Sequence, residues 1–275
     1  MHEGELVPAD RELLSLQLGA NWTVTGDGRL TGPDAPRLVV AAAADGVRVA
    51  ADASVPERVL AEVRATVARV RPVLLAGAAG GGGPASGGPV EGGPDCVGRE
   101  GAYGVPEAVV RARRLVEAAT GEATLISAPS YLVAPGTRFA PTAEVVTSSE
   151  PGRAALRAAN PGNWGAGEWD DLLDGALGPW AMAVEAGRVV AICHTPCASE
   201  LAAEAGVWTR PGHRGRGHAA TVTAAWARVM AATSGGKRLF YSTTAANLAS
   251  QNVARRLGLR QLGWLWKLTD RRGGG

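Results

Sequence analysis

Residues 210–220 read "RPGHRGRGHAA": three glycines and three arginines around two histidines, with no acid among them. On the N-terminal side lies "AAEAGVWT" (202–209), which reads as a strand. On the other side "HAATVTAAWARVMAAT" (218–233) predicts a helix, with Val222, Trp226 and Val229 on one face and Gly235-Gly236 closing it. A glycine loop between strand and helix can turn tightly at Gly215 and Gly217 and keeps side chains away from a ligand. The orphan N–H groups at the helix start then point together at an anion, helped by the positive end of the dipole. Arg214 and Arg216 add charge at the rim. Such a loop suits a pyrophosphate.

The wider charge pattern agrees. Net charge is only +2, yet from Ala205 to Thr269 there is no Asp or Glu, against eight arginines and two lysines. An acid-free basic third joined to an acidic remainder implies a polyanionic partner, either nucleic acid or a phosphate-bearing cofactor. The arginines fall at loop and helix ends and are not strung along one helix with aromatics, which argues against nucleic acid. With 46% hydrophobic and 20% charged residues, no apolar run long enough to span a membrane and no leader after Met1, a cytoplasmic globular protein is expected, with no membrane partner. Cys96, Cys193 and Cys197 are too few for a disulfide framework; the C-x3-C pair reads as two buried thiols, and no metal is expected.

Along the chain, 1–75 reads as a small α/β region. "RLVVAAAADGVRVAADA" gives two strands around Ala44-Asp45-Gly46. A helix over 54–71 follows, with Ser54 and Glu57 as a capping box and Val59, Leu60, Val63, Val67 and Val70 on one face. Residues 76–95 are a Gly-rich linker without the Gly-Lys-Ser/Thr ending of a phosphate loop. The remaining unit, 96–275, begins with a helix stopped by Gly121 and strand material in "ATLISAPSYLVA". After it come a strand over 143–148, helical or loop material over 150–176, and a hairpin turning at Ala186-Gly187. Beyond the loop lie "RLFYSTT" as a strand, "LASQNVARRL" as a helix ending at Gly258, and a last strand, "GWLWKLT".

Two families use a glycine loop of this kind. Gly215-x-Gly217-x-x-Ala220 fits a dinucleotide fingerprint, which also requires an acid about 20 residues later; none occurs before Asp270. Arg214-x-x-Gly217-x-Ala219 fits the Arg/Gln-x-x-Gly-x-Gly/Ala motif of the GNAT N-acetyltransferases. "NLASQNVARRLGL" resembles the later segment of that superfamily, Asn-x-x-Ala-x-x-x-Tyr-x-x-x-Gly-Phe, at Asn247, Ser250, Gly258 and Leu259. The region 143–270 resembles these enzymes in order and spacing, and the N-terminal part resembles extensions of bacterial members.

The resemblance implies an α/β (α+β) fold with a central mixed, splayed sheet flanked by helices. It implies acetyl-CoA as cosubstrate, bound in the splay between the strand at 202–209 and the next. The pantetheine arm would run along Val207, Trp208 and Thr209, and the pyrophosphate would sit on Arg214, Gly215, Arg216, Gly217, His218 and Ala219, with Asn247 and Ser250 nearby. A small-molecule amine would attack the thioester directly; a homodimer is compatible with this. Direct attack needs a proton acceptor. Glu204, the last acid before the acid-free region, is the candidate, against the reading of an exposed strand-end charge; His194, His213 and His218 are other possible bases, each of which reads as structural rather than catalytic. The tyrosine that protonates the thiolate in many relatives is replaced by Ala254, so Ser250, Tyr241 or Ser242 must substitute, or solvent does. A catalytically weak CoA-binding or sensing module is the alternative. Trp164, Trp169 and Trp180 with Glu168, Asp170, Asp171 and Asp174 either wall the acceptor pocket or form an ordinary amphipathic surface.

Overall fold

The computed structural model describes residues 8–32, 34–72 and 104–270; the linker expected over 76–95 lies outside them. Helix α1 (Asp10–Asn21) comes first, burying Leu13, Leu14 and Leu18 at helical spacing with Gln17 on the same face. Two short strands, β1 (Thr23–Val24) and β2 (Leu30–Thr31), precede the hairpin of β3 (Leu38–Ala43) and β4 (Gly46–Ala51). Helix α2 (Glu57–Val67) is shorter than the expected 54–71 and buries Val59, Leu60, Val63 and Val67, with Val70 buried just beyond.

The expected Ser54–Glu57 capping box is absent. Pro56 takes the N-cap place, two residues too late for the Ser54 hydroxyl to serve the helix. Instead the Ser54 N–H and O–H both donate to Asp52 Oδ1, at 2.9 and 2.5 Å, while Glu57 pairs with Arg29 and Arg64.

Helix α3 (Glu107–Thr120) ends at Gly121, whose φ of 88° suits glycine. Then come β5 (Ala123–Val133), β6 (Glu144–Thr147), a 3-10 segment (Pro151–Ala159) and α4 (Ala166–Asp174). Strands β7 (Ala181–Glu185) and β8 (Arg188–Ala198) join through Ala186 and Gly187, both at positive φ as a tight hairpin requires. Last are β9 (Ala202–Thr209), α5 (His218–Thr233), β10 (Arg238–Ser242), α6 (Leu248–Arg256) and β11 (Arg260–Asp270).

Among the described residues nine strands form one mixed sheet in the order β4-β3-β11-β5-β10-β9-β8-β7-β6. Every neighbouring pair is antiparallel except β9 and β10. A parallel pair needs a crossover, which the glycine loop and α5 supply. Strand β5 enters between β10 and β11, and the β3–β4 hairpin extends the sheet beyond β11, so segments far apart in sequence share one sheet.

Alternation along the strands gives two apolar faces. On one, α2 and α3 pack over Leu38, Val40, Trp264 and Trp266, while Trp226 and Met230 of α5 pack with Ala254 of α6. On the other, α1 lies over Val39, Ala41, Ala202, Phe240 and Leu265, and α4 with the 3-10 segment covers Trp180, Met182 and Ile192. Helix α5 is apolar almost all round because it is buried on nearly every side.

Candidate active site

The loop between β9 and α5 turns through Gly212, Gly215 and Gly217, at φ of 82°, 79° and 95°. Its recorded internal bonds are His213 N–H to the Arg210 carbonyl and Thr221 N–H to the Gly217 carbonyl. Among the described residues this leaves most of the amides of 214–220, apart from Arg216 in the turn over 214–215, without a backbone acceptor at the start of a 16-residue helix. A Cβ at Gly215 would meet nothing within 4 Å, so the concave side is open there. At Gly217 it would approach Thr142 Cγ2 at 3.1 Å, Arg256 Nη2 at 3.3 Å and Phe139 Cε1 at 3.4 Å. Residues 139–142 and α6 thus close one wall, and Arg256, lying over the Phe139 ring, brings a further cation to it.

His218 is buried at the first position of α5. Its Nδ1 bonds Thr142 Oγ1 at 2.9 Å and its Nε2 lies 3.3 Å from Glu185 Oε1. Burial lowers its pKa, opposed by Glu185 and reinforced by His213 and Arg216. A neutral ring wedged under the loop holds its shape. Glu185 also faces His213 at 3.6 Å and Arg216 at 4.0 Å.

Next to the loop the sheet opens. Strands β9 and β10 pair only from Ala202–Arg238 to Glu204–Phe240. Beyond that vertex β9 continues to Thr209 on β8, and β10 continues to Ser242 on β5. The edge of β9 from Ala205 to Thr209, including Val207, Trp208 and Thr209, is therefore free of β10. A long thin ligand can lie there, making strand-like hydrogen bonds, with its anionic end at the glycine loop.

Residues 137–260 match the family model described as Acetyltransferase (GNAT) domain. This segment is a GNAT acetyltransferase domain. Among solved structures the chain is similar to the GNAT-family acetyltransferase of Colwellia psychrerythraea (16% identity, 59% of this chain and 63% of that one, TM-score 0.40). It is also similar to the GCN5-related N-acetyltransferase of Kribbella flavida (22%, 61% and 63%, 0.40). A third is a tandem GNAT protein from the clavulanic acid biosynthesis pathway (14%, 62% and 59%, 0.41). The chain thus spans less than two thirds of each of these three. No curated protein matches it.

In the GNAT domain Glu204 sits at the vertex and is only 8% exposed, which rules out a solvated strand-end charge. Its Oε2 accepts from Asn21 Nδ2 at 2.6 Å and Gln17 Nε2 at 3.3 Å, and its Oε1 accepts from Ser242 Oγ. Ser130 donates in turn to Gln17 Oε1. Gln17 and Asn21 lie on α1, far outside the matched segment, and the sequence reading missed them. A lone glutamine amid leucines on an amphipathic helix was the available signal.

The three hydroxyls considered for the missing tyrosine divide between two faces. Ser242 serves Glu204. Tyr241, on the α5–α6 face, bonds both Ser250 Oγ and the Ser250 carbonyl, the latter at 3.2 Å. Burial pushes the Tyr241 pKa up to about 12, partly offset by the Ser250 hydrogen bond. Asn247 caps α6, its Oδ1 accepting from Ser250 N–H at 3.0 Å.

Of the expected acceptor wall, Trp169 and Trp180 are core residues, and Asp170 and Asp174 pair outward with Arg157 at 2.6 and 2.5 Å. Trp164 packs edge-on against His194, with ring centroids 5.0 Å apart. Cys193 is fully buried, which raises its thiol pKa, and Cys197 is half-buried; Cys96 lies outside the described residues. Among the described residues no helix is long and apolar enough to cross a membrane, and no group of three or more His, Cys, Asp or Glu is placed to hold a metal.

Proposed function

We propose that the protein is an acetyl-CoA-dependent N-acetyltransferase acting on a primary amine of a small molecule. The observation that carries this reading is the parting of β9 from β10 at Glu204, next to the open amides of the glycine loop and to Arg214, Arg216 and Arg256. In this reading the 214–219 amides, with Arg214 and Arg216, hold the pyrophosphate, and the free edge at Val207, Trp208 and Thr209 holds the pantetheine arm. Glu204 contributes a carboxylate beside the reacting carbon. The Tyr241–Ser250 pair stands by the leaving sulfur, with the phenol as a neutral O–H donor at working pH. Asn247 acts through α6, setting the position of Ser250.

Calorimetry with acetyl-CoA, followed by thiol release with a panel of amines, tests the proposal. Saturable binding and amine-dependent thiol release are expected; no binding would sink it. A CoA-binding sensor is the second reading, favoured by Ala254 standing where relatives have tyrosine. Binding without thiol release against any amine would select it.

A further inference from the structure

We infer that the cleft beside β8 admits the acceptor amine and that His194 accepts its proton. The inference rests on the acetyl-transfer reading and adds its acceptor half. Strand β8 runs past the start of β7, since Ala181 of β7 pairs with Cys193, and leaves 194–198 without a β7 neighbour. A cavity of about 550 Å³ opens there, lined by Trp164, Glu168, Pro179, His194, Pro196 and Lys237, among others.

The imidazole leans from this cavity across β9. A Cβ at Gly206 would lie 2.6 Å from His194 Cε1 and 3.1 Å from Nδ1, so the ring fills space that only glycine leaves. Gly206 is two residues past the vertex and, by strand alternation, on the same face as Glu204. His194 therefore overhangs the free edge assigned to the acyl donor, with its other side toward the cleft. The Trp164 Nε1 is buried and has no hydrogen-bond partner among the described residues, and the His194 Nδ1 is buried without a well-aligned one, the Gly206 carbonyl being the acceptor that approaches the ring. Leaving such atoms unpaired is costly, and a site that awaits a ligand is one reason for it. The two atoms ask for different things: Nδ1 for an N–H, the indole N–H for a lone pair. A primary amine carrying a nearby oxygen, as in an amino alcohol or an amino amide, offers both.

Glu204 is placed differently. Its oxygens already accept from three neutral donors, so it supplies negative charge at the vertex and ties α1 down. The charged and titratable groups near His194 are Glu168 from α4, Glu204 from β9, Cys197 on its own strand and Lys237 across the cleft. Burial lowers the His194 pKa, and the Gly206 carbonyl and Glu168 oppose this only in part. The ring is thus neutral at pH 7 and can receive a proton. One proton passes from the ammonium to His194 and on to water. The amine nitrogen then bonds to the acyl carbon, the C–S bond breaks, and the second proton goes to sulfur.

The test uses the full chain with phenylalaninol, an aromatic amino alcohol, as the probe. Imidazole NMR signals are assigned with His194→Asn. The His194 signal should titrate below pH 6.5 and shift with phenylalaninol more than with phenethylamine, which lacks the oxygen. In thiol release, His194→Asn should lower kcat/KM at pH 7 by roughly 100-fold and remove the acidic limb that wild type shows as the ring protonates, with acetyl-CoA affinity unchanged. Glu204→Gln should leave that limb in place. An imidazole that titrates at its ordinary value and ignores phenylalaninol overturns the proposal, and so does a His194→Asn enzyme within threefold of wild type. Where phenylalaninol is not turned over, the NMR arm decides. Failure of wild type to bind acetyl-CoA is separate, and would count against the acetyl-transfer reading itself.

Discussion

The glycine loop and the vertex at Glu204 face the same gap in the sheet but are built in opposite ways. The loop is local in its essentials: its turns, its amides, Arg214 and Arg216 come from eleven consecutive residues, while Phe139, Thr142, Glu185 and Arg256 only wall and brace it from elsewhere. The vertex is assembled from α1, β5, β9 and β10, with Gln17, Ser130, Glu204 and Ser242 separated by up to 225 residues (242 − 17). Anion binding needs only backbone and can be written in one stretch. Holding a buried carboxylate needs donors from several directions, and those come from wherever the fold delivers them.

The largest expected effect tests the dependence of the vertex on α1. Leu14 is fully buried under the sheet and carries no chemistry. Leu14→Ala should cost roughly 3 kcal/mol, within the 2–5 typical of core truncations. Because it loosens the helix that presents Gln17 and Asn21, kcat should fall at temperatures where the chain is still folded, while acetyl-CoA affinity holds. Denaturant melts with parallel calorimetry check this. Affinity falling as steeply as kcat would mean that donor and acceptor sides are not built separately.

The next prediction probes the loop. Gly217→Val is a poor choice, since the new side chain would press on Thr142, Phe139 and Arg256 from a backbone at φ 95° and disturb the fold itself. Gly215 has open space at its Cβ. Gly215→Val should therefore cost about 1–2 kcal/mol of backbone strain yet weaken acetyl-CoA binding at least tenfold, about 1.4 kcal/mol. Calorimetry that finds unchanged affinity in the folded variant removes the loop from the donor site.

What the sequence made legible follows the same division. Strand, loop and helix around 210–220 were readable because glycine positions, periodicity and an acid-free charge pattern all sit in one window. The hairpin at Ala186-Gly187 and the end of α3 at Gly121 were readable for the same reason. The place of β5 between β10 and β11 was not, because pairing across more than a hundred residues leaves no local mark. Nor was α1, whose leucines make an ordinary stripe; its meaning lies in Gln17 and Asn21 reaching a carboxylate on another element. The capping box failed where a local pattern, Ser54-x-x-Glu57, was read without weighing Pro56 inside it.

A smaller effect is expected from the hydroxyl pair at the leaving-group side. Tyr241→Phe and Ser250→Ala should each lower kcat about tenfold, less than a usual general acid contributes, because a CoA thiolate leaves tolerably well unaided. With the phenol pKa pushed up to about 12, no basic limb from Tyr241 should appear in the pH–rate profile below about pH 11. The double variant should be little worse than either single one, since the two hydroxyls bond each other. Fully multiplicative losses would show that they act separately.

The smallest effect separates acids that face the acceptor cleft from acids that only lie near it in sequence. Asp170 and Asp174 sit on α4 beside Trp169 and look, from sequence, like a cation pocket. Their carboxylates turn outward to a single arginine, Arg157, with all three side chains about half exposed. Charge pairs in that setting are screened by water and salt and contribute little. Asp170→Asn and Asp174→Asn should each change the KM for an amine by less than about twofold and shift Tm by no more than about 2 °C. Glu168, on the same helix but lining the cleft with Trp164 and His194, is the control. Glu168→Gln should raise the KM for a cationic amine several-fold, because the charge it removes lies at the cleft, where its Oε2 accepts from the Gly165 N–H rather than from an arginine, a capping bond that glutamine can keep. Steady-state kinetics on the three variants make the comparison. Equal effects at 168, 170 and 174 would mean that the whole acidic helix draws the amine by its general field, and that the cleft has no directed carboxylate of its own.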